Sequence, residues 1–162
     1  MHVSNGALIH KAYQDFAHGD VASVFGVLDP AITWHIPGHG PLSGDFTGHE
    51  EIGAFLRRTM ELSGGSFRID VERVLADGEI VVALVTVNAR RNGTAASFPE
   101  VHVWRVTDGR VTAFREYQGD EQREDRFWAC GARSPFALLA LRGPCSAQQL
   151  LRNVAAVGGE LH

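Results

Sequence analysis

Asp29-Pro30-Ala31-Ile32-Thr33-Trp34-His35-Ile36-Pro37-Gly38 decides the architecture of this chain. Its β-branched and aromatic run, stopped by Pro37-Gly38, predicts a strand ending at the mouth of a cavity. The loop after it leads through Gly48-His49-Glu50-Glu51-Ile52 into a helix. On that helix Ile52, Phe55, Leu56 and Met60 make one apolar stripe, which stops at Ser63-Gly64-Gly65. Upstream, Leu8, Tyr13, Phe16 and Ala17, then Val21, Val24, Phe25 and Leu28, recur at helical spacing. His18-Gly19 breaks the pattern, and Asp20 is expected to cap the second helix.

Downstream the period becomes two. Phe67 to Leu75, Ile80 to Ala89, Ala96 to Val106 and Val111 to Tyr117 read as strands separated by Asp77-Gly78, Asn92-Gly93 and Asp108-Gly109. Three Asx-Gly turns in succession predict an antiparallel meander. Helices first and hairpins second, with a single strand of the first half joining the sheet edge, make an α+β fold rather than a βαβ one. The chain's 162 residues, 44% hydrophobic, suffice for one domain. Beyond Trp128 the composition shifts. Ser134-Pro135 and Ser146 each open a Leu/Ala-rich stretch, so residues 129–162 are expected to be a C-terminal helical extension of the domain at 1–128.

Composition narrows the function. A net charge of -4 with interspersed signs gives no footprint for nucleic acid or an anionic membrane. Cys130 and Cys145 form no CxxC pair, which fits reduced thiols better than zinc or a disulfide. No leader pattern and no run of about 18 apolar residues is visible, so a soluble cytoplasmic protein is expected. His39, Asp45 and His49 match no metal-ligand spacing, and solvated loop positions explain them better; His49 is placed as a cap of the third helix, with Glu50 and Glu51 favouring its dipole. No metal and no cofactor are therefore expected.

The Gly19-Asp20 step, the Trp34-His35-Ile36-Pro37-Gly38 strand end and Val101-His102-Val103-Trp104-Arg105-Val106 before Asp108-Gly109-Arg110-Val111 together carry a resemblance. Over residues 5 to 128 the chain resembles the nuclear transport factor 2 and ketosteroid isomerase superfamily, in particular its SnoaL-like polyketide cyclases. That resemblance implies a cone-shaped, strongly curved antiparallel sheet with the N-terminal helices on its concave face and an apolar pocket between. It also implies an acidic base on the last strand with a histidine on its neighbour. Strand alternation puts Glu100, His102 and Trp104 on one face and Val101, Val103 and Arg105 on the other, with Phe114, Glu116 and Gln118 opposing Ala113, Arg115 and Tyr117. Aligned through Asp108-Gly109, His102 falls where ketosteroid isomerases keep their oxyanion-stabilising acid. The first set of each strand is then inward. Ile36 falls where those isomerases carry a base aspartate, and Ala12 at their tyrosine, with Tyr13 one position away. Those departures argue against steroid isomerisation.

Glu116 and His102, 14 residues apart across one hairpin, are the first catalytic candidates: base, and proton donor or enolate stabiliser. Alternatively Glu116 pairs with Arg115 and His102 is a satisfied core residue. Register turns His35 outward, but a bulge before Pro37 would bring it in, which keeps it as a further catalytic candidate. Trp34, Ile36, Tyr13, Phe55, Trp104, Phe114 and Gln118 are expected to contact substrate. The expected activity is cofactor-free cyclisation or isomerisation of a carbonyl-bearing, apolar, polyketide-like molecule by general acid/base catalysis. Two alternatives stay open: a non-catalytic binding or assembly module, and a hydrolase or dehydratase of epoxide-hydrolase type. Outward apolar positions, with Val81, Val85, Val101 and Val103 assigned to them, predict a homodimer through the outer sheet face.

Overall fold

The computed structural model describes residues 3–129. The expected extension, with Cys130 and Cys145, lies outside the described residues apart from Ala129. Helix α1 (Asn5–Ala17) starts where the Ser4 side chain accepts from the Ala7 amide, and α2 (Val21–Val27) where Asp20 accepts from Ser23. Strand β1 (Leu28–Ile36) follows directly, then β2 (Gly44–Thr47) and α3 (Gly48–Leu62). The meander is β3 (Arg68–Asp77), β4 (Ile80–Arg91), β5 (Thr94–Thr107) and β6 (Arg110–Gln118), and α4 (Glu121–Ala129) closes the series. Asn92-Gly93 and Asp108-Gly109 take positive φ at both positions, the geometry that matches hairpin twist and that Asx-Gly tolerates.

The six strands form one curved, unclosed sheet in the order β2-β1-β6-β5-β4-β3. The α+β class and the meander are as expected. Three details differ. Two strands of the first half join the sheet, so β2 is the edge and β1 lies inside it; and β1 runs parallel to β6, because α2 and β1 return the chain alongside the last strand. Val81 and Val85 pair with Trp104 and Glu100 on the concave face and are fully buried, not outward. His49 does not cap α3: Thr47 holds that position, and the imidazole instead meets the Leu28 carbonyl at 3.1 Å.

Helices α1 and α3 lay Ile9 and Ile52 on the concave face against Ile32, Val81 and Val111, all fully buried. A second cluster, built on Phe98, Val87, Leu42, Phe127 and Trp128, joins α4 to the far end of the sheet. Asp125 on α4 accepts from the His39 and Gly40 amides at 2.9 Å each, tying that helix to the loop after β1. Gly38 is needed there. With φ at 91°, it leaves Asp125 a space that any Cβ would fill.

Candidate active site

Cross-strand register lays the inward side chains out in rows. Trp34, Phe114 and Trp104 form an aromatic row; the next holds Glu116 and His102, the next Gln118 and Glu100, and the one beyond it Phe98 and Val87. A two-row polar belt thus crosses an otherwise apolar concave face. Above it, α1 contributes Tyr13 and α4 contributes Glu124 and Asp125, and together they line a cavity that opens to solvent.

Hydrogen-bond accounting fixes the direction of the network. Trp104 Nε1–H can only donate, and it does so to Tyr13 Oη at 3.0 Å. The tyrosine proton then goes to His102 Nδ1 at 2.7 Å, which leaves the histidine hydrogen on Nε2, donated to Glu100 at 2.9 Å. Glu100 in turn shares hydrogen bonds with Glu116 and Glu124, and Gln118 donates to Glu116 at 2.8 Å. Glu116 stands 3.9 Å from His102 Nε2.

Burial sets the protonation states. Desolvation, with the Glu116 charge adding to it, pushes Glu100 up to about 9, and desolvation with the charges of Glu100 and Glu116 pushes Glu124 up to about 10. Desolvation also raises Glu116, although the nearby His102 and the bonds from Gln118 and Glu100 pull the other way. It lowers His102 to about 4 and raises Tyr13. At neutral pH the imidazole is therefore uncharged, Glu100 and Glu124 hold protons, and Glu116 is the member best placed to ionise. A carboxylate base in an apolar cavity, backed by neutral donors, is equipped for proton transfer. Donor atoms of Glu100, His102 and Glu116 lie within 4.8 Å of one another, a spacing a divalent ion can bridge. The network argues otherwise, since Nε2 carries the hydrogen that such an ion would have to displace.

Nine of the ten nominated residues line this cavity: Glu116, His102, Trp34, Ile36, Tyr13, Phe55, Trp104, Phe114 and Gln118. His35 is not among them. It lies on the opposite face, bonded to Asp45 at 2.5 Å, and the irregularity in β1 falls between Leu28 and Thr33 rather than before Pro37. Sequence parity placed Glu100 inward without nominating it. Glu124 and α4 were missed altogether; the adjacent apolar pair Phe127-Trp128 was a signal for the helix, and the structure buries Glu124 on the same face at i, i+3, i+4 spacing. Arg115 reaches outward over Tyr117, so Glu116 has no partner there.

The SnoaL-like domain family matches residues 9–114. An uncharacterised protein of Mycobacterium tuberculosis is 30% identical over 124 residues, covering 75% of this chain and 94% of the relative. Among solved structures, an NTF2-like protein of unknown function from Burkholderia pseudomallei superposes with a TM-score of 0.70 at 28% identity, covering 77% of this chain and 98% of that one. TerC, co-crystallised with polyporic acid, does so with a TM-score of 0.67 at 25% identity, covering 75% and 95%. No helix among the described residues is long and apolar enough to cross a membrane.

Proposed function

The chain belongs to the SnoaL-like domain family, within the NTF2-like fold, and from that premise we propose that it is a cyclase or isomerase acting by proton transfer on a carbonyl-bearing, apolar small molecule. The observation that carries the proposal is the relay from Trp104 through Tyr13 and His102 to Glu100 and Glu116, which opens on an aromatic-walled cavity. Glu116 removes a proton next to the carbonyl. With substrate bound, His102 Nε2–H and the Glu100 and Glu124 acids turn from one another to the oxygen as it gains charge, and one of the acids gives a proton to the product. Ring closure or a shifted double bond follows from the same enolate. TerC, solved with polyporic acid, supports a small organic molecule as occupant, and a polyketide-like metabolite is the class proposed. Among the described residues no lysine or arginine lines the cavity, which disfavours an epoxide hydrolase that needs an inward arginine between two carboxylates.

A homodimer in the cytoplasm completes the proposal. Val82, Leu84, Val101 and Val103 are half-buried on the convex face, flanked by exposed Leu75 and Tyr117, and a second copy would cover them.

Hydrogen exchange tests the catalytic part without knowledge of the natural substrate. A panel of aryl ketones is incubated with the protein in heavy water and α-deuteration is followed by mass spectrometry. Wild-type protein is expected to accelerate exchange in at least one ketone, and Glu116→Gln to slow it about 10²- to 10⁴-fold. Exchange at the wild-type rate by a folded Glu116→Gln protein removes Glu116 as the base.

A further inference from the structure

The polar belt holds more acceptors than donors. Tyr13, Trp104 and His102 each donate within the relay and Gln118 donates to Glu116, yet Glu124 Oε1 and Gln118 Oε1, both buried, accept from nothing among the described residues. Glu124 is 2% exposed and lines the cavity. A buried acceptor without a donor is destabilising, so the missing hydrogens point to an occupant that brings them.

Charge narrows the occupant further. The ionisable groups facing the space are Tyr13 from α1, Glu100 and His102 from β5, Glu116 from β6, and Glu124 and Asp125 from α4. Four are acids, and no lysine or arginine among the described residues lines the cavity to balance them. An anion is repelled by such a set, and an alcohol supplies one hydrogen with no charge. An ammonium supplies three donors, no acceptor and a positive charge. The aromatic row suits it as well. Trp34 stacks on Phe114 at 3.9 Å and Trp104 lies 4.5 Å from the same ring, so the three rings form one continuous apolar wall for a carbon skeleton.

We propose that the cavity takes an apolar amine, its protonated nitrogen seated against the unpartnered oxygens of Glu124 and Gln118, beside Glu116, and its skeleton against Trp34, Trp104 and Phe114. The inference rests on the function proposed above and adds the amine to it. Because the amine arrives charged, it draws a carboxyl of the triad into its ionised form, and a proton leaves for solvent.

Three probes with one skeleton test this: 1-adamantanemethylamine, 1-adamantanemethanol and 1-adamantanecarboxylate, none of which absorbs where tryptophan does. Quenching of Trp34 and Trp104 and calorimetry in two buffers of different ionisation enthalpy read affinity and proton release. The amine is expected to bind about 10- to 100-fold more tightly than the alcohol, with the carboxylate weakest and about one proton released per amine. Glu124→Gln and Glu116→Gln, checked for folding by circular dichroism, are expected to shrink the amine-to-alcohol ratio. Equal binding of amine and alcohol, preference for the carboxylate, or no binding of any probe at millimolar concentration overturns the inference on wild-type protein alone. Amine preference without Glu116-dependent ketone exchange keeps the binding site and removes the catalysis; exchange without amine preference does the reverse.

Discussion

Raising the pH from 7 to 8.5 is expected to destabilise this protein steeply, and the buried acids say by how much. Glu100 and Glu124 sit in the folded chain with pKa values of about 9 and about 10, against 4.5 when unfolded. A raised folded pKa means that the native state holds a proton the unfolded state has released, so the associated stability is present at low pH and is lost as pH climbs toward the folded value. Histidine does not blur the window. His102, lowered to about 4, is neutral in the folded state, and an unfolded histidine near 6.5 is already about three-quarters deprotonated at pH 7, so its remaining titration offsets only about 0.2 kcal/mol of the loss. Two extra native protons correspond to a slope of about 2.7 kcal/mol per pH unit, or about 4 kcal/mol over the interval. Measured against a total of about 5–15 kcal/mol, that loss is large. Urea denaturation at pH 7.0, 7.5, 8.0 and 8.5, followed by tryptophan fluorescence, gives the slope directly. Glu124→Gln keeps the shape but cannot ionise, and is expected to halve it. Stability that stays flat or rises between pH 7 and 8.5 would refute the claim that the belt holds neutral acids.

Tyr13→Phe removes the one hydroxyl that satisfies both His102 Nδ1 and the Trp104 indole; urea denaturation is expected to show a loss of about 2–5 kcal/mol, and nitrogen NMR shifts a His102 no longer fixed with its hydrogen on Nε2. A loss below about 0.5 kcal/mol would mean that the relay is not formed in solution. Sedimentation at micromolar concentration is expected to give a dimer for the wild-type chain and a monomer for Val103→Asp, which places a charge on the convex face; a monomeric wild type overturns the dimer.

Fold and site were legible to different degrees, for reasons that particular residues show. His102 and Glu116 were legible as residues of neighbouring strands because Asp108-Gly109 marks the turn between them, but Thr107 pairing with Arg110 would by itself set His102 opposite Arg115, and it is the register shift between Arg105 and Val106 that brings Glu116 there. Ile80 to Val85 gave no such help. Apolar on both faces, the run carries no alternation of its own, and only its pairing with β5 reveals that Val81 and Val85 are inward. Strand β2 is four residues of Gly44-Asp45-Phe46-Thr47 inside a stretch rich in turn formers, and its existence depends on a tertiary edge offered by β1. Helix α4 is polar over most of its length, so its three buried side chains were outvoted. Glu124 was invisible for a deeper reason: composition predicts acids to be solvated, and a buried one departs from that rule only through its surroundings.

Those surroundings also explain how an apolar cavity tolerates three carboxyls. Fully ionised, Glu100, Glu116 and Glu124 would repel one another at close range, with no lysine or arginine among the described residues lining the cavity to offset them. Sharing protons lowers the charge of the group to that of a single carboxylate, and the donors aimed at Glu116, from Gln118 and from Glu100, decide which carboxyl carries it. The arrangement that limits the electrostatic penalty is therefore the one that would single out Glu116 as the base of the proposed reaction. The acids left neutral stand beside it, where an oxygen developing negative charge needs donors. Stability that falls with rising pH and a carboxylate poised for proton abstraction are, on this argument, two consequences of the same buried protons.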